Sequence, residues 1–384
     1  QGPRTETLTA STVVCPGTSG TTSPVRVARA PGGTEGELDV RTSDPKATTL
    51  GEGEVVNLAP PGSVAVPGST GATVIQGRGA SAPGVVGGRG EGAAVPECRA
   101  PSFDEWLVDL GASARYATTL ELVNPDAGTA VVDLALHGGA GPIDEPSLRG
   151  IQVPGNGIKR IELAKVSPRA ALFSGHMTVV RGRVTVTARN TIDSLGTSRS
   201  ASDFLPAQAA PSTDNLILGV PARPAGATLL LVNPTSDEVR ASIKFVTSDA
   251  VFAPSDVPEV AVPPGTLRVV SLQGALSSDT AQGVVGLRVE STGALAASAR
   301  LFDGGDLVLL GSEVAVREPT AAVLPPGART LLLGGAQRAG VVHVRSYDAA
   351  GKELFVFGQY GNERWTSGRR RIMGARPPRG LATF

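Results

Sequence analysis

Aromatic rings are scarce in this 384-residue chain, at 4% of positions with two Trp and three Tyr. Extended sugar-binding sites use such rings as platforms, so the shortage counts against one. No stretch approaches the roughly 18–20 continuous apolar residues of a membrane-spanning helix. The opening residues, QGPRTETLTASTVVCPG, lack the charged start and apolar run of a signal peptide, and no Met precedes them. Gln1 therefore reads as a cut end, and the precursor is expected to carry an upstream signal or membrane anchor. Net charge is absent too, since 35 Lys and Arg balance 35 Asp and Glu. Without a global field, nucleic acid is not expected as a partner, and a membrane is expected only through such an anchor.

Catalytic signatures are equally thin. His137, His176 and His343 stand alone inside strand-like runs, whereas a metal site or triad needs partners at set spacing. There is no Gly-x-Ser-x-Gly elbow, no Walker loop and no His-Glu-x-x-His. GGRGEG at 87–92 resembles a phosphate loop, but no helix follows to orient its amides, so it reads as a flexible turn. Asp-Gly-Gly-Asp at 303–306 offers two carboxylates, short of a calcium cage. No enzymatic activity, cofactor or metal is expected. Cys15 and Cys98 are the only cysteines. An isolated pair in a Gly- and Pro-rich chain reads as a disulfide formed in an oxidising compartment, with two unrelated buried thiols as the alternative.

What is abundant is turn and strand material. The chain is 41% hydrophobic, and 49 Gly with 30 Pro make about a fifth of it, which suits short strands joined by turns. Those strands repeat. ATTLELVNPDAGTAVVDLAL (117–136) aligns with GATLLLVNPTSDEVRASIKF (226–245), and VPGNGIKRIEL (153–163) with VPPGTLRVVSL (262–272), both near an offset of 109 residues. One step back lands on Cys15-Pro16, and one step forward meets 328–351. In each copy Asn-Pro ends a strand, because Pro donates no amide and Asn favours a turn. Val132, Leu134 and Leu136 alternate with Val131, Asp133 and Ala135, as do Val239, Ala241, Ile243 and Phe245 with Arg240, Ser242 and Lys244.

The fold expected is all-β, built of tandem Ig-like β-sandwich modules repeating at about 109 residues. The divisions are 1–112, a diverged Gly-rich module; 113–220 and 221–325, two full sandwiches; and 326–384, a partial fourth with a basic tail. The segments 179–189 and 286–300 read as hairpins. The segments 102–113, 197–214 and 302–319 read as variable connections, where specificity usually resides. Residues 30–92 are expected to be looped and poorly packed. Residues 362–384, with six Arg against one Glu, are expected to be mobile and unneeded for folding.

One acidic cluster stands out: Asp104, Glu105 and Asp109 in SFDEWLVD, echoed by Asp203 and Phe204 in SDFLP. Paired carboxylates are the chemistry of glycoside hydrolysis, yet Trp106 reads better as a core anchor. Asp104, Glu105, Trp106, Asp203 and Phe204 remain the candidate partner or glycan contacts. VVCPG, the recurring TLxLVNP, VPPG and GHMTVVRGRVTVTAR together resemble a family of actinobacterial secreted or membrane-anchored proteins of uncharacterised function. The resemblance spans most of 8–350 and implies no catalytic residues. The function expected is a non-enzymatic, extracytoplasmic envelope scaffold that binds an envelope protein or cell-wall polymer. The alternative is a protein that binds or modifies cell-wall polysaccharide through its variable connections.

Overall fold

The computed structural model describes residues 10–18, 24–30, 35–67, 70–90, 94–168, 171–193, 200–313, 315–316, 319–324, 331–335, 341–360 and 380–383. Within them the chain is antiparallel β-structure, with α1 (Leu163–Val166) and α2 (Gln273–Ser277) as short helical turns.

Strands β1 (Ala10–Cys15), β2 (Arg26–Arg29), β3 (Gly36–Thr42), β4 (Gly53–Leu58), β5 (Ser63–Ala65), β6 (Thr73–Arg78) and β7 (Val85–Gly88) form two sheets, ordered β1-β6-β3-β4 and β5-β2-β7. Val13, Val27, Leu38, Val40, Ile75 and Val85 are buried between them. The Gly-dense stretch expected to be looped is thus a packed sandwich. Close approach replaces bulk there: a Cβ on Gly87 would stand 2.9 Å from Cys15 Sγ, and one on Gly77 2.3 Å from the Ser81 carbonyl oxygen. The supposed flexible turn at 87–92 begins inside β7, and the buried Arg89 donates to the carbonyls of Pro16 and Gly71 at 2.7 and 2.9 Å. Cys15 and Cys98 are disulfide-bonded across 83 residues, as their isolation in the sequence suggests.

The second group is β8 (Asp104–Gly111), β9 (Tyr116–Val123), β10 (Ala130–Gly138), β11 (Gly141–Ile143), β12 (Ile151–Val153), β13 (Ile158–Glu162), β14 (Leu172–Arg181), β15 (Thr185–Asp193) and β16 (Ser200–Leu205). One sheet runs β11-β10-β14-β8 with β12 also on β10; the other runs β13-β9-β15-β16. The third group is β17 (Ser212–Leu218), β18 (Gly226–Val232), β19 (Val239–Val246), β20 (Val251–Phe252), β21 (Val260–Val262), β22 (Leu267–Ser271), β23 (Gly286–Asp303) and β24 (Asp306–Gly311). Its sheets run β20-β19-β23-β17, with β21 on β19, and β22-β18-β23-β24. Val132, Leu134 and Leu136 face one core, and Val239, Ala241, Ile243 and Phe245 the other, as their alternation predicts.

Several sequence expectations change here. The segments 179–189 and 286–300 are not hairpins. β14 and β15 lie in opposite sheets, while β23 serves both, its first half on β17 and β19 and its second on β18 and β24. A polar break containing Gly suits a sheet-to-sheet crossing as well as a reversal, and alternation does not separate the two. The segments read as variable connections contain β8, β16 and β24. β8 pairs with β14 from Gly111 to Asp104, so it belongs with the strands that follow it rather than with residues 1–103. Asp303–Asp306 is the tight turn joining β23 to β24, with Gly304 and Gly305 at φ 58° and 89°.

The recurring Val-Asn-Pro has a definite task. Asn124 Nδ2 donates to the carbonyls of Gly128, Val153 and Pro154 at 2.7, 3.0 and 3.0 Å, and its Oδ1 accepts from Asp126 N at 3.0 Å. Asn233 repeats this, donating to Asp237 and Val262 at 2.7 and 2.8 Å and accepting from Thr235 N at 2.9 Å. Both side chains are fully buried. Each asparagine therefore clamps its own turn to the Val-Pro turn 29 residues onward. The two sequence motifs recur together because one amide bonds both.

The last strands, β25 (Ala321–Val323), β26 (Val341–Asp348), β27 (Glu353–Tyr360) and β28 (Gly380–Thr383), are ordered β25-β28-β26-β27. Val323 and Tyr347 pack on Ala28 and Val86 of the first sandwich, and Ser63 N donates to the Ala349 carbonyl at 3.1 Å. The chain thus turns back on its first unit. The mobile tail expected over 362–384 falls mostly on residues outside those described. Gly380–Thr383, however, pairs with β25 and β26, a strand too short for alternation to reveal.

Candidate functional site

Each connection leaving a sandwich runs back along that sandwich's first strand. In 89–103, Arg99 and Val14 of β1 exchange two backbone hydrogen bonds at 2.8 and 3.0 Å. In 206–211, Gln208 does the same with Trp106 of β8 at 2.8 and 2.9 Å. In 312–320, Glu313 N donates to Leu216 O of β17 at 2.7 Å. The three connections meet, and with the ends of β16 and β24 they line an open cleft of about 840 Å³. Its backbone is fixed by these ladders rather than left as loop.

The charged groups of the cleft come from those connections. The Arg99 guanidinium grips Glu105 with both terminal nitrogens, Nη2 to Oε2 at 2.7 Å, and also donates to the Val186 carbonyl. That carbonyl is reachable because β16 pairs with β15 only as far as Ala188. Glu97 and Glu313 are exposed residues at the cleft, and partial desolvation by the surrounding walls raises both carboxyl pKa values. Arg99 pulls Glu97 down and Glu105 pushes it up, and Glu97 pushes Glu313 further up. Phe204 forms part of the wall, with the Arg189 guanidinium 5.6 Å from its ring centre.

Of the residues singled out in the sequence, Phe204 lines this cleft; Glu105 is buried behind it and holds Arg99, and Asp104, Trp106 and Asp203 are not in its lining. Asp203, beside Phe204, accepts from Phe204 N and Leu309 N, both at 2.8 Å, and so covers the outer edge of β24. Asp104 pairs with His176 Nε2 at 2.9 Å. Trp106 is a core anchor: His176 stacks on it at 4.2 Å, His137 tilts against it at 5.3 Å, and Leu230, Val232 and Ala296 of the third sandwich pack with it. Glu97, Arg99 and Glu313 escaped the sequence reading. They sit singly in aperiodic connections, and no local signal marks them; only the topology brings them together.

A second polar group locks the central sandwiches to each other. Asp109 is the bulged residue of β8, since Phe173 pairs with Leu110 and Ser174 with Val108. Its φ of 107° lies in the left-handed region, a conformation that only surrounding contacts sustain. Arg300 Nη1 reaches its Oδ1 at 3.0 Å, Asn190 Nδ2 its carbonyl at 2.7 Å, and Ser298 Oγ bonds the Val108 carbonyl. Arg300 also lies over the Tyr116 ring at 4.4 Å. Asp109 Oδ2 is buried and finds no donor among the described residues.

Burial pushes the Asp109 carboxyl up to about 6 against the pull of Arg300, and burial likewise takes Asp203 to about 6. Both folded values exceed the ordinary value of ~3.9, so the native state holds protons that the unfolded chain has released. Their contribution to stability is present at low pH and is lost as pH rises through about 4 to 6. His137 opposes them, because burial lowers its pKa and acidification then penalises the fold. The double variant Asp109→Asn, Asp203→Asn isolates the carboxyl part. Its loss of unfolding free energy relative to the parent should be about 2–3 kcal/mol larger at about pH 5 than at about pH 7.5. Urea melts at the two pH values measure this, and equal losses would show that neither carboxyl is shifted.

Among the described residues, no group of three or more His, Cys, Asp and Glu is placed to hold a metal ion, and no helix is long and apolar enough to cross a membrane. A protein-family profile described as "Family of unknown function (DUF5719)" matches residues 67–355. No curated protein and no solved structure matches the chain.

Proposed function

The chain belongs to the DUF5719 family, a family of unknown function, and from that footing we propose that it is a non-enzymatic, extracytoplasmic β-sandwich array that binds an envelope partner at its junction cleft. The observation that carries this reading is the convergence of all three inter-sandwich connections on one open cleft. Connections on a fixed scaffold are where binding residues concentrate, and here each is held by the strand beside it. Among the described residues the lining contains no histidine or cysteine, and its charges suit recognition. The Cys15–Cys98 bond supports an oxidising compartment and hence a location outside the cytoplasm.

In the same reading the two central sandwiches are copies of one Ig-like module at an offset of about 109 residues. Their matching sheet orders and the twin asparagine clamps support it. The first sandwich, with its different strand order, fits as a separate member of the array. A glycan-binding reading gains nothing from Trp106, whose ring is covered. The test is photo-crosslinking in envelope extract from Val316 at the cleft, compared with Val180 of β14 outside it; the two are 69% and 67% exposed.

A further inference from the structure

Taking the junction cleft as the binding site, we infer that its occupant is a cationic peptide segment carrying aliphatic side chains beside its lysines or arginines. Val95 and Val316, 50% and 69% exposed, leave aliphatic surface uncovered in the cleft. Large apolar side chains this open, grouped in a concavity with Phe204, favour aliphatic groups on whatever enters. The charge is just as one-sided. Among the described residues, the charged side chains lining the cleft are Glu97, Glu313 and Arg99, and the Arg99 guanidinium is already taken by the buried Glu105 and the Val186 carbonyl.

Among the described residues neither Glu97 nor Glu313 makes an ion pair, so a like charge nearby is unfavourable and an incoming cation relieves it. Desolvation is the main cause that raises the pKa values of Glu97 and Glu313; at Glu97 Arg99 opposes it and Glu105 adds to it, and at Glu313 Glu97 adds to it. A volume of about 840 Å³ exceeds what a single amine fills and suits several residues of a chain. Charge and aliphatic surface side by side are what a basic, valine-like segment matches. An acidic or neutral polymer matches neither.

The probes are short fluorescent peptides of alternating Val and Lys, Val and Glu, and Ser and Lys, titrated against the intact chain by anisotropy. The Val–Lys peptide should bind, the Ser–Lys peptide should bind about tenfold more weakly, and the Val–Glu peptide should not bind. Glu97→Gln with Glu313→Gln, nearly isosteric and checked for an unchanged melting curve, should loosen the Val–Lys peptide by about tenfold or more. Glu97→Lys with Glu313→Lys should reverse the preference towards the Val–Glu peptide, a gain that misfolding cannot produce. Equal binding of Val–Lys and Val–Glu peptides overturns the inference, as does a Val–Lys affinity indifferent to both double variants. If no peptide binds while crosslinks still form at Val316, the cleft binds a partner but the ligand chemistry is wrong. If both fail, the site itself is wrong.

Discussion

Asn124→Ala destabilises the second sandwich by about 2–4 kcal/mol, and Asn233→Ala does the same to the third. Each substitution removes a fully buried amide that satisfies carbonyls of two separate turns, and it strands an amide N–H as well. A net hydrogen bond is worth about 1 kcal/mol, while a buried group left unsatisfied costs about 1–3 kcal/mol, so the second effect dominates. Asn→Asp is the informative companion. It keeps the acceptor for Asp126 N or Thr235 N but turns the donor into an oxygen facing the Val153 or Val262 carbonyl. It should therefore be no better than alanine at neutral pH. Chemical denaturation of the four single variants measures this. Losses within about 0.5 kcal/mol, the range of ordinary surface changes, would mean the clamp is idle.

Opening the Cys15–Cys98 disulfide costs the first sandwich about 4–5 kcal/mol in the chain-entropy picture, because the bond closes a loop spanning 83 residues. That loop contains nearly all of the first sandwich, from the end of β1 through β7. Among the described residues, the core it supports is built of Val, Leu and Ile around the disulfide itself, with no ring. A core so small leaves little margin, which is the situation in which disulfides decide whether a domain folds. Cys15→Ala with Cys98→Ala should make the region 24–90 the first to yield to limited proteolysis, while 104–311 resists. Because Cys98 lies in a connection that lines the cleft, the same variant should also weaken partner capture. Unchanged proteolysis of 24–90 would place the stability of this unit elsewhere.

The sequence was most legible where one face of a strand is buried and the other wet. Val132, Leu134 and Leu136 and the Val239–Phe245 set declared both strand and face, because period-two alternation is the direct image of a half-buried sheet. Cys15 and Cys98 could be paired because no competing cysteine exists. β8 was less transparent. Seven of its eight residues are buried, Asp109 among them, so it shows no alternation and its carboxylates suggested a surface cluster. The Gly-dense first sandwich misled for a related reason. Composition predicts looseness, but glycines set opposite Cys15 and Ser81 let backbone and sulfur approach where a side chain would clash. Whether 179–189 reversed or crossed between sheets depends on partners far away in the chain, which no local pattern encodes. The cleft was the least visible feature. Glu97 and Glu313 are 216 positions apart by their numbering, and they become neighbours only once the sandwiches have docked.

Partner binding at the junction is best tested by the paired crosslink. The chain is prepared twice, with a photo-reactive amino acid at Val316 in one protein and at Val180 in the other, and each is irradiated in envelope extract. Exposure is matched at 69% and 67%, so chance encounters label both alike. A discrete adduct from Val316 alone, diminished when Glu97→Gln and Glu313→Gln are added, is the predicted result. Equal labelling from the two positions, or an adduct from Val180 with none from Val316, would contradict binding at the cleft.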